Sequence, residues 1–134
     1  MELRKDPITR SWVITGDDVP DSTPPAGACR FCPDSPVASQ MVSSVPGPQG
    51  AWSARAVVHP KPLYHIEGEP SRRADGLYDR MCPVGAHELL LENPRHDRHL
   101  WNASDAEIES FLQLVGQRIQ DLKRDQRFKY IKYD

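Results

Sequence analysis

The chain has 134 residues, and 17 lysines and arginines stand against 19 aspartates and glutamates, for a net charge of −2. This length is typical of one domain, and the near-neutral balance offers neither a basic surface for nucleic acid nor a polybasic segment for an anionic membrane. No apolar run approaches the length of a membrane span. The charged N-terminus MELRKDPITRSW lacks the apolar core of a signal peptide, so a cytoplasmic location is predicted.

The first half of the chain is rich in proline and contains short predicted strands. Bulky and β-branched residues closed by a glycine predict a strand at residues 11–16. Residues 17–25 are polar and interrupted by proline, which predicts a loop. Residues 33–50 are rich in Pro and Ser without a period, which predicts a mobile connection. A second strand is predicted at residues 54–59, and residues 60–83 are predicted to be irregular.

The second half contains the clearest predicted element, a helix over residues 104–125. Ser104 and Glu107 fit a capping box at its start. A helical stripe of apolar residues follows: Ile108, Phe111, Leu112, Val115, Ile119 and Leu122. A third strand is predicted before the helix, at residues 87–92, and a last strand after it, at residues 128–133. Because that last strand leaves an open sheet edge, self-association or a homodimer is also predicted.

The stretch CRFCPD places two of the three cysteines two residues apart, at Cys29 and Cys32. In a reducing cytoplasm such a pair is more typical of a metal site or of catalysis than of a structural disulfide. A redox pair usually opens a helix, and the prolines that follow here do not favour one. Structural zinc takes four Cys and His ligands, and the remaining candidates are Cys82, His59, His65, His87, His96 and His99. From the residues alone, zinc, a redox pair and no role all stay open.

Three stretches together resemble the galactose-1-phosphate uridylyltransferase family, whose members are hexose-1-phosphate nucleotidyltransferases of the histidine-triad superfamily. LRKDPITRSWVI is similar to the family's R-x-[DN]-P-x-T-x-x-W-V-[IL] signature. CRFC is similar to its C-x-F-C pair, and GAHELLLENPRHDRHL to its G-x-H-E-[VL]-[IL]-[IL]-E-[ST]-P-x-H segment. Their order and rough spacing agree with the family over nearly the whole chain. The resemblance is to the N-terminal portion of such a protein.

The resemblance implies a fold and a metal. The fold is α+β: a histidine-triad-like antiparallel sheet with one long helix packed on it, incomplete at the C-terminus, in one domain over residues 1–134. The implied metal is a structural zinc ion held by Cys29, Cys32 and His96. The family's fourth ligand comes from a later histidine segment that has no counterpart in the printed sequence, so the fourth position is expected to be missing or supplied by water, His99 or Cys82.

The resemblance also implies an activity, that of a UDP-glucose:hexose-1-phosphate uridylyltransferase in galactose metabolism. In this family a histidine of an H-x-H-x-Q segment forms a covalent nucleotidyl intermediate, which divides one difficult displacement into two. No H-x-H occurs in the printed sequence, so no catalytic residue is assigned and the isolated, truncated chain is predicted to be inactive. A complete version is expected to bind a nucleotide sugar or a sugar 1-phosphate. The alternative is a non-catalytic, zinc-bearing relative that binds a nucleotide or a protein.

Three residues are predicted to bind substrate by position within the resemblance: Phe31, Arg55 and His59. His59 stands where the family has a nucleotide-contacting asparagine, and it retains hydrogen-bonding capacity. Arg55 alternatively is a solvated residue at a strand edge. The segment GDDVPDSTPP departs from the family, because it has three aspartates where an arginine-rich segment usually faces phosphate. This reversal of charge favours the non-catalytic alternative.

Overall fold

A computed structural model describes residues 1–16, 27, 29–35 and 38–134. The predicted α+β class is confirmed, as two three-stranded antiparallel sheets and one long helix. The predicted loop at residues 17–25 lies outside the described residues. The elements in chain order are β1 (Glu2–Lys5), β2 (Trp12–Thr15), β3 (Met41–Pro46), β4 (Trp52–Val58), β5 (Arg80–Met81), β6 (Glu88–Leu91) and α1 (Asp105–Leu122), with 3₁₀ turns at Pro48–Gly50 and Leu100–Asn102.

The described residues fall into two compact units. The first combines residues 1–16 and 61–87, and the second combines residues 27, 29–35, 38–60 and 88–134. The organisation of the whole chain as one domain stays a prediction. No helix among the described ranges is both long and apolar enough to cross a membrane.

The first unit is built on a sheet with the strand order β2-β1-β5. Strand β2 confirms the strand predicted at residues 11–16. Strand β1 was not predicted because Leu3, which is 6% exposed, is its one buried residue. Between Pro60 and Pro83 the only strand is the two-residue β5, in keeping with the prediction that this region is irregular.

The D-P-I-T stretch of the N-terminal signature forms the turn between β1 and β2. The Asp6 Oδ1 atom accepts hydrogen bonds from the backbone N–H groups of Ile8 at 2.8 Å and Thr9 at 3.2 Å. These bonds lower the pKa of the Asp6 carboxyl, because they stabilise its charged form. The Thr9 hydroxyl lies 2.7 Å from that of Ser11. In this chain the Asp and Thr of the signature therefore shape a hairpin.

The second unit is built on a sheet with the strand order β3-β4-β6, on which α1 packs. Strands β4 and β6 confirm the strands predicted at residues 54–59 and 87–92. Ala54 and Ala56 of β4 are fully buried, and their small side chains allow the helix to approach the sheet closely. The core cluster consists of Val45, Ala54, Ala56, Phe111 and Leu114, with Leu90, Leu100 and Val115 packed against it.

Helix α1 confirms the predicted helix and its capping box. The Ser104 hydroxyl accepts from the Glu107 N–H at 3.3 Å, and the Ser104 N–H donates to Glu107 Oε2 at 3.0 Å. The predicted apolar stripe is wrong at Leu112, which is 62% exposed, whereas Leu114 is fully buried. The helix also ends at Leu122 rather than near residue 125. The buried face is displaced around the helix from the predicted stripe towards Leu114 and Arg118, so Leu112 remains in solvent.

Two further expectations need correction. Part of the connection predicted at residues 33–50 is regular, because strand β3 lies within it and pairs with β4; whether the segment is mobile stays a prediction. The strand predicted at residues 128–133 is wrong, since the described residues there pair with no sheet and Tyr130 is 81% exposed. Strand propensity reflects fit to a pleated, half-buried surface, and no sheet edge accepts this segment. The self-association expected from its open edge loses that basis and stays a prediction.

Candidate metal centre

Cys29 and Cys32 lie in two successive turns. The Cys32 N–H donates to the Cys29 carbonyl oxygen at 3.4 Å, and the Ser35 N–H donates to the Cys32 carbonyl oxygen at 3.0 Å. The described residues from 29 to 35 form turns and no helix. This arrangement disfavours a redox pair of the kind that opens a helix.

His96 reaches the cysteine pair from the loop that follows β6. In that loop Asn93 Oδ1 accepts a hydrogen bond from the Arg95 N–H at 2.9 Å, which shapes the turn before His96. The His96 Nδ1 atom lies 3.5 Å from the Cys32 sulfur. One ligand atom from each of Cys29, Cys32 and His96 lies within 4.8 Å of the others. The structure thus brings the three predicted metal ligands together, although His96 lies 64 positions from Cys32 in the sequence.

The donor set fits a zinc ion. Zinc binds cysteine sulfur at about 2.3 Å and histidine nitrogen at about 2.0 Å, so ligand atoms around one ion are roughly 3–4 Å apart. The cluster spacing is close to this range, and small side-chain adjustments would complete it. Thiolate and imidazole are also the donors that zinc prefers in structural sites.

The two thiols differ in their electrostatic environment. The pKa of Cys29 is lowered, chiefly by the backbone N–H of Phe31 and further by Cys32 and His96. The pKa of Cys32 is raised, first by its hydrogen bond with Cys29 and then by burial. The thiolate is the form that binds metal. The environment therefore favours the thiolate of Cys29, whereas Cys32 would be deprotonated by the metal ion as it binds.

The structure does not bring His99 into this cluster. The His99 Nδ1 atom lies 2.9 Å from Glu92 Oε1, and Glu92 Oε2 accepts from the Leu100 N–H at 3.1 Å. The His99 ring also stacks on Trp101, with 5.9 Å between ring centroids. His99 is therefore engaged as a structural residue of the 3₁₀ turn, and it is a poor candidate for the fourth ligand.

The remaining candidate ligands differ in their placement. His65, Cys82 and His87 belong to the first unit, where Cys82 is exposed and His87 Nδ1 accepts from the Leu63 N–H at 3.1 Å. Cys82 as a fourth ligand stays a prediction. His59 directly follows β4 and is half-buried.

The three residues predicted to bind substrate all lie in the second unit. Phe31 sits between the two cysteines and is half-buried. The Arg55 guanidinium lies over the ring of Trp52, 4.6 Å from its centroid. A register shift between β3 and β4 near Ser53 breaks the two-residue alternation and lets these two side chains share a face. The roles of Phe31, Arg55 and His59 in substrate binding stay predictions.

Two polar contacts of the second unit were not predicted from the sequence. One is the pairing of Glu92 with His99. The other joins Arg118, which is 9% exposed, to Glu88 on β6. Arg118 lies four residues after the buried Leu114, and this helical spacing indicates that Arg118 shares the buried face of the helix. An arginine is rarely buried unless it is paired, so its partner could be found only from the fold.

Comparison with known proteins supports the resemblance. No protein-family model matches the sequence. An ADP-glucose phosphorylase from Arabidopsis thaliana is 23% identical over an alignment of 146 positions, which covers 97% of this chain and 41% of that protein. A solved uridylyltransferase structure has a TM-score of 0.73 at 24% identity, covering 97% of this chain and 38% of its own.

A structure of the Arabidopsis thaliana ADP-glucose phosphorylase with bound ADP-glucose has a TM-score of 0.64 at 23% identity, covering 97% of this chain and 41% of that one. The chain thus spans about two-fifths of the length of the curated relative that it matches. At these identities the comparisons establish the fold. The predicted resemblance is confirmed at that level: this chain has the fold of uridylyltransferases over about two-fifths of their length.

Proposed function

We propose that this chain is the zinc-binding, N-terminal portion of a hexose-1-phosphate nucleotidyltransferase that acts on a nucleotide sugar in galactose metabolism. The observation that carries the proposal is the cluster of Cys29, Cys32 and His96 in a chain with the uridylyltransferase fold. The relatives named above include a uridylyltransferase and an ADP-glucose phosphorylase, and both names denote chemistry at a nucleotide or sugar phosphate.

The zinc ion in this proposal is structural. Cys29, Cys32 and His96 supply three ligands, and water supplies the fourth. The ion ties the turns at residues 29–35 to the loop after β6, two segments with no strand pairing between them. A structural zinc site stabilises the fold directly, because its ligands are assembled only in the folded chain.

The substrate contacts in this proposal come from Phe31, Arg55 and His59. Arg55 has a buried Nε atom with no hydrogen-bond partner among the described residues, and its stacking on Trp52 holds the guanidinium plane. A guanidinium binds phosphate oxygens through charge-assisted hydrogen bonds, so Arg55 is the residue proposed to contact the phosphate of a nucleotide. The aromatic ring of Phe31 offers a face to a base, and His59 offers a hydrogen bond to a base or ribose.

We assign the covalent step to no residue of this chain, because no H-x-H occurs in the printed sequence. The expected result is no transfer between UDP-glucose and galactose 1-phosphate by the isolated chain. Robust turnover by the pure chain would contradict this assignment.

The first test is the zinc content of the purified chain, measured by elemental analysis. We expect about one zinc ion per chain, lost in the Cys29→Ser and Cys32→Ser variants together with thermal stability. Cys82→Ser is the matched control, since it removes the one cysteine outside the cluster; retention of zinc there also excludes Cys82 as a ligand. A wild-type chain purified without zinc that also fails to take it up would refute the zinc site.

The second test is the binding of UDP-glucose and ADP-glucose by calorimetry. Arg55→Met is expected to weaken binding at least tenfold, because it removes a charge-assisted contact to phosphate. Arg124→Met, at a side chain that is 82% exposed, is the matched control and should leave affinity unchanged. Equal affinities of the wild type and Arg55→Met would remove Arg55 from the site. Binding of neither nucleotide sugar would favour the non-catalytic alternative that binds a protein.

A further inference from the structure

Cys29 and Cys32 are placed so that their sulfurs can bond to each other. The Cys32 N–H donates to the Cys29 carbonyl oxygen at 3.4 Å, which closes a four-residue turn. The first and fourth Cα atoms of such a turn are less than about 7 Å apart, and disulfides span Cα separations of about 4.4–6.8 Å. The two sulfurs also lie within the 4.8 Å limit of the cluster. A disulfide at this turn therefore needs little backbone movement.

The cluster is also open to small molecules. Both cysteines are half-buried rather than buried, and His96 is exposed. A thiol that reacts with a dissolved disulfide must be accessible, and the cysteine pair meets this requirement. A resolving thiol close to the attacking one is the second requirement, and the turn supplies it.

We propose that Cys29 and Cys32 form a reversible disulfide on reaction with a small-molecule disulfide, and that this bond competes with metal binding at the cluster. The competition rests on the zinc site proposed above, whereas formation of the disulfide does not. The same two sulfurs cannot serve both purposes, because the metal requires thiolates. The oxidation state of this turn thereby sets whether the segments at residues 29–35 and 93–96 are joined through a metal ion.

The reaction is a two-step thiol–disulfide exchange. One cysteine thiolate attacks a sulfur of the small disulfide, whose S–S bond breaks and releases one small thiolate. The second cysteine thiolate then attacks the protein sulfur of the mixed disulfide, forms the Cys29–Cys32 bond and releases the other small thiolate. The two protein sulfurs are oxidised, and the small disulfide is reduced to two thiols, which take up protons from the cysteines or from water. A bound metal leaves as the divalent ion.

The test uses the full chain, loaded with zinc and freed of reductant, and treats it with oxidised glutathione. Free thiols, released zinc and the masses of proteolytic peptides are followed over time. We expect the Cys29 and Cys32 thiols to disappear without bound glutathione, a peptide that carries an intact Cys29–Cys32 bond, and release of zinc in parallel; the exposed Cys82 lacks a resolving thiol and can form only a glutathione adduct. Dithiothreitol and fresh zinc should restore the starting state.

Two variants separate the disulfide from the metal. Cys82→Ser should form the same bond and release zinc at the same rate, because Cys82 is not in the cluster. His96→Ala should bind zinc more weakly and should still form the Cys29–Cys32 disulfide. If the wild type binds no zinc at all, the zinc site fails and the competition is overturned with it, while thiol counts and peptide masses on the metal-free chain still decide whether the disulfide forms.

The proposal is overturned if Cys29 and Cys32 stay as thiols, stop as glutathione adducts or pair with Cys82. Zinc that remains bound at full stoichiometry after the Cys29–Cys32 bond has formed would overturn the competition.

Discussion

Arg118 of helix α1 and Glu88 of strand β6 form a bidentate ion pair, with Nε–Oε2 and Nη2–Oε1 distances of 2.8 Å each. Both side chains are largely buried, at 10% and 13% exposure. The pair raises the pKa of Arg118, chiefly through the hydrogen bond that Arg118 donates to Glu88. It joins the helix to the strand that precedes the metal-binding loop, so its integrity bears on the position of that loop.

Replacing Glu88 should therefore destabilise the chain strongly. Glu88→Gln leaves the buried Arg118 charge with only the exposed Asp121 as a carboxylate partner, and a broken buried pair costs about 3 kcal/mol or more. Urea denaturation followed by circular dichroism measures the change. Asp121→Asn is the matched control, because Asp121 contacts the same arginine at 2.9 Å but is 52% exposed, and an exposed pair contributes less than about 1 kcal/mol. Equal losses of stability in the two variants would show that burial does not determine how much each ion pair contributes.

Leu112 and Leu114 provide a matched test of the observed helix face. Leu114→Ala should lower the free energy of unfolding by about 3 kcal/mol, because Leu114 is fully buried in the core cluster. Leu112→Ala makes the same chemical change on the same helix at a side chain that is 62% exposed, and it should cost about 0.5 kcal/mol or less. A larger loss of stability in Leu112→Ala than in Leu114→Ala would instead support the helix face predicted from the sequence.

Removal of the capping box at the start of α1 should destabilise the chain less than truncation of Leu114 does. Ser104→Ala removes the acceptor of the Glu107 N–H and should cost about 1 kcal/mol. Ser110→Ala, within the same helix, is the control, because the Ser110 hydroxyl donates only to the carbonyl oxygen of Ala106 and alanine is the better helix former. Thermal unfolding of both variants gives the comparison, and a loss at Ser110 that matched the loss at Ser104 would argue against the cap.

Glu107 makes stability depend on pH in a defined direction. Its pKa is lowered below the ordinary value of 4.5, first by the hydrogen bond from Arg98 and then by that from the Ser104 N–H. A carboxyl whose folded pKa is lowered stabilises the fold above its ordinary pKa, and this contribution is lost as the pH falls through the folded pKa. The pKa values of Asp6, Asp75 and Asp125 are lowered as well, so the chain should lose stability below about pH 4.

The measurement is urea denaturation at neutral pH and at a series of acidic values. Glu107→Gln should be less stable than the wild type at neutral pH and should lose less stability on acidification, because it no longer has this carboxyl to protonate. Glu109→Gln, at an exposed position of the same helix turn, should follow the wild-type pH dependence. Parallel curves for Glu107→Gln and the wild type would refute the role of Glu107.

Local patterns in the sequence predicted the elements whose causes are local. Helix α1 begins at its capping box because Ser104 and Glu107 satisfy each other's backbone N–H groups within one turn. Strands β2, β4 and β6 follow from short runs of bulky or β-branched residues. Strand β3 was missed, because its MVSSVP sequence has little pattern and its formation depends on pairing with β4. The strand predicted at residues 128–133 has the right residues and no sheet edge to join.

Sequence patterns were enough to name three candidate metal ligands, because the spacing of Cys29 and Cys32 indicated the pair and the resemblance to known motifs added His96. The fold was needed to show that His96 reaches the pair, with its Nδ1 3.5 Å from the Cys32 sulfur, and that His99 contacts Glu92 instead. It also decided which helix residues are buried, pairing Arg118 with Glu88. Turns, caps and strand propensity depend on neighbours along the chain, whereas ligand clusters and buried ion pairs depend on side chains that only the folded sheet and helix bring together.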